Sequence, residues 1–179
     1  MSSRRIALLG LVLFAFPSFA QLRPSGLPKT EQVQNTVREF CRQDFLGARL
    51  SGDGWNRVKR LTTWKDNPAW RTFHVISRYD QTSVSTGFHS ARVGVKYIVL
   101  GRFELGAGYS SLNESENAEF KLRETEEEWR IDDTDPELLE PQISRQTALQ
   151  WLQEKQKTVT DAGEKASIET ALKALQPAK

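Results

Sequence analysis

The chain has 179 residues, 38% hydrophobic and 27% charged, with a formal net charge of +2. That length supports one domain with a proper core. Arg4 and Arg5 are the only charged residues before Gln21, so the remainder is neutral and lacks the cationic footprint of a nucleic-acid or anionic-membrane binder.

The first twenty residues read as a secretory signal. Arg4 and Arg5 form a positive start, Ile6 to Phe16 is apolar apart from Gly10, and Ser18 and Ala20 are the small residues a signal peptidase reads. Cleavage after Ala20 is expected. No cysteine stands at that site to take a lipid, and no later apolar stretch reaches spanning length. The expected product is secreted or periplasmic, with no membrane anchor. Cys41 is the sole cysteine, which excludes an internal disulfide framework. It suits a small buried residue on a helix; a free thiol or an intermolecular bridge is the alternative.

Residues 21–29 carry two prolines and a glycine without periodicity, and read as a flexible leader. Thr30 is the expected N-cap of a helix, with Glu31 in its first turn. Val33, Val37, Phe40, Cys41 and Ala48 recur at helical steps, widened by Phe45 and Leu46, to an end near Leu50. Ser51-Gly52-Asp53-Gly54 breaks the pattern. A short second helix can carry Trp55, Val58 and Leu61. A turn follows between Trp64 and Trp70.

The period then changes from helical to alternating. Phe73, Val75, Ser77 and Tyr79 fall on one face of a strand, and His74, Ile76, Arg78 and Asp80 on the other. After a polar loop at Thr86-Gly87, the odd positions from Ala91 to Leu105 form the apolar face of a long strand. Gly106 and the Ser/Asn/Glu stretch after it read as a loop. A third strand puts Ala118, Phe120 and Leu122 inside. Residues 126–128 turn the chain, and Trp129 to Asp133 return as a fourth strand. The acidic run from Asp132 to Glu140 ends the sheet. Two helices close the chain: Ser144 caps the first, and Asp161 with Glu164 has capping-box spacing for the second.

The expected fold is α+β: N-terminal helices on a curved four-stranded antiparallel sheet over 30–141, with a C-terminal helical pair over 142–179. The helix from Thr30 to Leu50, the segment from Val95 to Gly101, and the hairpin Phe120-Lys121-Leu122 with Glu128-Trp129-Arg130-Ile131 resemble the nuclear transport factor 2-like superfold. That superfold includes ketosteroid isomerase-like and polyketide cyclase-like proteins. The resemblance covers about residues 30–133. It implies a sheet curled around the helices into a cone with an apolar pocket. Two features depart from it: there is little room for the short hairpin and third helix the family often inserts, and the C-terminal helical pair is an addition.

Parity aims Ser77, Tyr79, Tyr97, Glu124 and Asp133 into such a cone, with Tyr97 best placed among valines. These are the candidate pocket residues. A catalytic acid or base would need hydrogen-bond reach and burial. None of the five matches a family catalytic motif, so no catalytic residue is assigned. His74 and His89 lie on different elements without zinc spacing, and Asp132-Asp133-Thr134-Asp135 lacks the glycine and final glutamate of a calcium loop. No metal or other cofactor is implied. The outer face carries Arg78, Lys96, Arg102, Lys121, Arg123 and Arg130 with Glu104 and Glu119. Ile76, Ile98 and Leu100 among them need a cover. The C-terminal helices would supply it, or a second copy in a homodimer. The leading expectation is a non-catalytic domain binding a small apolar ligand or a protein partner. The competing one is a cofactor-free isomerase or cyclase-like enzyme using a pocket tyrosine and carboxylate.

Overall fold

The computed structural model describes residues 28–67, 69–126, 128–132 and 139–176. The expected signal segment, most of the leader and Asp133 lie outside the described residues. In chain order the elements are α1 (Lys29–Phe45), a single 3-10 turn (Ala48–Leu50), α2 (Gly52–Lys59), β1 (Thr72–Thr86), β2 (Ser90–Glu104), β3 (Gly108–Glu124), β4 (Trp129–Ile131), β5 (Gln142–Ser144), α3 (Arg145–Thr158) and α4 (Ala162–Leu175).

Helix α1 starts at Lys29, with Pro28 in the capping position and no side-chain cap. Thr30 therefore lies inside the helix. The helix stops at Phe45, earlier than its apolar stripe suggests. Gly47 takes a left-handed conformation at φ 78°, which breaks the helical path before the 3-10 turn. Ser51 caps α2, Ser144 caps α3 and Asp161 caps α4, each by accepting a backbone N–H of the first turn.

Among the described residues five strands form one curved sheet in the order β4-β3-β2-β1-β5. The first four pair antiparallel. β5 pairs parallel to β1 through His74, Val75 and Ile76, so the sheet is mixed rather than purely antiparallel. Three residues are too few to register as a sequence period, which is why β5 is invisible in the pattern. The polar stretch after Gly108 is strand as well, not loop. Residues 110–115 are exposed, so no alternation marks them, and backbone pairing with β2 holds them. Tyr109 and the Ser110 carbonyl lie so close to Gly101 that a Cβ there would collide.

Two of the three irregularities between β1 and β2 divide the interior. Val75 pairs with Gly101 but Ile76 pairs with Val99, so Leu100 is an extra residue on β2. Arg78 then pairs with Ile98, leaving Ser77 extra on β1. Each bulge shifts the inward–outward parity by one. Adjacent Val75 and Ile76 consequently enter different cores. Ile76 joins Val33, Val37, Phe40, Cys41, Val95, Tyr97 and Phe120 under α1 and α2. Val75 joins Phe73, Phe103, Leu152, Ile168 and Leu175 under α3 and α4. The odd positions of β2 are buried throughout, as alternation predicts, but Val99 and Phe103 belong to different cores. The C-terminal helices thus close a second, smaller core.

The bulges correct two placements, Ile76 and Ser77. Ile76, expected outside, is 1% exposed. Ser77, expected inside, is exposed. Leu100 is half-buried against the second core, while Ile98 is half-buried and belongs to neither.

Candidate functional site

Tyr97 sits deep under α1, 2% exposed, with its hydroxyl 3.4 Å from Sγ of Cys41. Burial pushes the Cys41 thiol up to about 12 and raises the Tyr97 phenol well above its ordinary value. Neither ionises near neutral pH, so Cys41 offers no thiolate nucleophile. The phenol spends its polar atom on the thiol. Tyr79 is half-buried beside it, ring to ring at 6.4 Å, and meets Phe45 edge-on at 6.0 Å. Phe40 meets Trp64 and Phe120 edge-on at 5.6 and 5.4 Å, filling the space between α1 and the sheet.

Of the other described candidates, Ser77 and Glu124 do not converge on Tyr97. Ser77 donates its hydroxyl to the Ile98 carbonyl at 3.4 Å on the exposed side. Glu124, at the end of β3, accepts from Lys29 at 3.0 Å and contacts His89 Nδ1 at 3.1 Å. The Lys29 hydrogen bond holds that carboxyl below the usual range. This is a surface clamp joining the start of α1 to the sheet. Among the described candidates, Tyr79 and Tyr97 alone are brought together.

His74 is richer in contacts than the sequence suggests. Glu116 of β3 faces its Nδ1 at 3.0 Å, and Glu140 faces its Nε2 at 3.3 Å. Arg102 then holds Glu140 with two hydrogen bonds, at 2.9 and 2.7 Å. The guanidinium lowers the Glu140 pKa below the carboxylate norm. These charges fasten the chain before β5 onto the sheet. No group of three or more metal-binding side chains with metal-site geometry occurs among the described residues.

A buried ion pair was not anticipated. Asp44 lies on the apolar stripe of α1, one turn beyond Phe40 and Cys41. Arg49 follows in the 3-10 turn, and both side chains are sealed from water, at 1% and 0% exposure. Arg49 also donates to the carbonyls of Leu139 and Glu140, while Asp44 accepts the backbone N–H of Gln142. Trp70 lies 5.0 Å from the guanidinium, in cation–π range. The sequence signal was there to find: two opposite charges within an otherwise apolar stripe.

Beside this pair opens a cleft of about 390 Å³. Trp70 and Trp151 line it, with Leu105, Asn67, Arg71 and Lys155. Asn67 accepts the indole N–H of Trp70 at 3.2 Å and donates to the Arg49 carbonyl at 3.0 Å, which fixes that wall. Trp151 is held edge-on by Phe73 at 5.4 Å. No sequence pattern linked these residues, because they come from the loop before β1 and from α3.

Helices enclosed by a curved sheet, with the long strands at its centre, decide the architecture. It is NTF2-like. Comparison with known protein families, curated proteins and solved structures gave no match. The fold resembles an NTF2-like ligand- or partner-binding scaffold, and the site must be argued from the residues themselves.

Proposed function

We propose that the chain is an exported, non-catalytic binding domain that takes a small ligand at its surface, in the cleft lined by Trp70 and Trp151. The observation that carries this reading is where the free space lies. The region around Tyr97 is packed by side chains and its hydroxyl is spent on Cys41. The tryptophan cleft is open and has the volume of a small-ligand site. Among the described residues the enzyme reading finds no second group beside Tyr97, and Asp133 lies outside them. Among the described residues the buried carboxylate of this region is Asp44, and Arg49 and the Gln142 N–H occupy both its oxygens.

Export rests on the tripartite pattern of residues 1–20. Sequencing the secreted protein from its N-terminus should give Gln21 first, or a blocked pyroglutamate. Native mass spectrometry of the same material tests the binding reading. The expected result is a retained small molecule that is absent from a Gly52→Phe variant. Gly52 lines the cleft and a Cβ there meets nothing within 4 Å, so a side chain can be added at this wall without a backbone clash. An adduct kept by that variant overturns the placement.

A protein partner is the second reading. Phe88, at the β1–β2 turn, is 83% exposed, far more than its size favours in water. A stable complex or dimer lost on Phe88→Ser would move this reading to first place.

A further inference from the structure

We infer that the cleft takes a ring-bearing organic anion, its ring against an indole and its carboxylate, phosphate or sulfate within reach of Lys155 and Arg71. This rests on the cleft being the binding site, as proposed above, and names the ligand class.

The charge balance of the walls carries the inference. Arg49, Arg71 and Lys155 line the cleft, and no carboxylate side chain does among the described residues. Arg49 is neutralised by Asp44 and adds little. Arg71 is also paired, with Glu164 through one Nη2 contact at 2.6 Å, and offers its other donors rather than an unpaired charge. Lys155, in the last turn of α3, pairs with no carboxylate among the described residues. Its ammonium lies 5.8 Å from the Trp151 ring centroid. A cation resting on an indole in the wall of a cleft is placed to accept an anion without first breaking an ion pair. Charge-assisted hydrogen bonds are the strong ones, and a guanidinium presents a flat fork to an oxyanion.

The two indoles supply the second requirement. Trp70 is anchored by Asn67 and Trp151 by Phe73, so their faces are fixed before any ligand arrives. Pre-set aromatic walls bind flat or pyranose rings with little ordering cost. The volume, about 390 Å³, suits one ring system with its acidic group.

The test uses matched probes in calorimetric and ligand-observed NMR titrations of the full mature chain. The probes are 2-naphthoate against 2-naphthamide, glucuronate against glucose, and inorganic phosphate as an anion without a ring. A ring acid should bind about tenfold or more tighter than its neutral partner, the worth of a hydrogen bond to a charged group. That gap should shrink in Lys155→Met, which keeps the aliphatic stem, and as salt rises. Binding should vanish in Gly52→Phe with the melting temperature unchanged. Acid and amide binding equally well overturns the anion inference and leaves the cleft as a site. Phosphate binding as tightly as the ring acids overturns the ring requirement. No probe binding at millimolar concentration, or binding untouched by Gly52→Phe, overturns the site and the inference together.

Discussion

Arg49 grips Asp44 through two hydrogen bonds, Nε to Oδ1 at 2.8 Å and Nη2 to Oδ2 at 2.7 Å. The pair joins α1 to the 3-10 turn, and its spare valences reach the chain from Leu139 to Gln142. It therefore ties the N-terminal helices to the segment that leads into β5 and the C-terminal pair. Arg49 also lines the tryptophan cleft.

Removing one partner strands the other. Asp44→Ala leaves a buried guanidinium unpaired and should cost about 3–5 kcal/mol in denaturant melts. Replacing both by apolar residues, as in Asp44→Leu with Arg49→Met, should cost much less than Asp44→Ala alone, because no charge is left buried. A double variant as unstable as the single one would show that the backbone contacts of Arg49, not its charge pairing, hold the fold together.

The bulges make a sharper test. Ile76→Asp would bury an unpaired charge and should cost several kcal/mol, enough to unfold a domain of ordinary stability. Ser77→Asp, one residue on, faces water and should cost less than about 1 kcal/mol. Simple alternation predicts the reverse order. Thermal melts of the two variants decide between them.

What the sequence made legible, and what it hid, follows from the reach of each interaction. Val33, Val37 and Phe40 repeat every turn, so the buried face of α1 is plain in the chain. Val93, Val95 and Tyr97 alternate, so the strand and its burial are plain too. The bulges at Leu100 and Ser77 leave no mark, because a parity shift comes from the register with a neighbouring strand. β5 is too short for a period and exists only through its pairing with β1. The upper half of β3 is polar on both sides, so nothing in its side chains announces a strand. The cleft joins Trp70 to Trp151 across 81 positions, a proximity that only the docking of α3 creates.

Acid should loosen the clasp around β5. Arg102 lowers the Glu140 pKa, so the unfolded chain takes up that proton first as pH falls. The stability it contributes is present above the unfolded value, about 4.3 for glutamate, and fades as pH drops through the lower folded value. Glu140→Gln should flatten the acid limb of the stability profile in that window and change little at pH 7 in slope. Equal slopes for wild type and variant between about pH 5 and pH 3 would exclude Glu140 as a contributor.

The interior of the cone gives the last test. Cys41 is buried and its thiol is pushed up to about 12, so the native protein should resist iodoacetamide and disulfide reagents, and react fully once unfolded in guanidinium. Tyr97→Phe removes the hydroxyl that meets Sγ and keeps the ring. The loss is one weak hydrogen bond, about 0.5–1.5 kcal/mol at most, with Cys41 still protected. Ligand binding in the tryptophan cleft should be unchanged, since no Tyr97 atom lines it. A phenol that stabilised an oxyanion would behave differently, with turnover falling about a hundredfold or more on its removal. Wild type and variant are therefore run against ketosteroids and small enolisable substrates. Turnover by wild type that collapses in Tyr97→Phe would overturn the non-catalytic reading. Unchanged ligand affinity together with a small drop in melting temperature is the outcome a packed phenol requires.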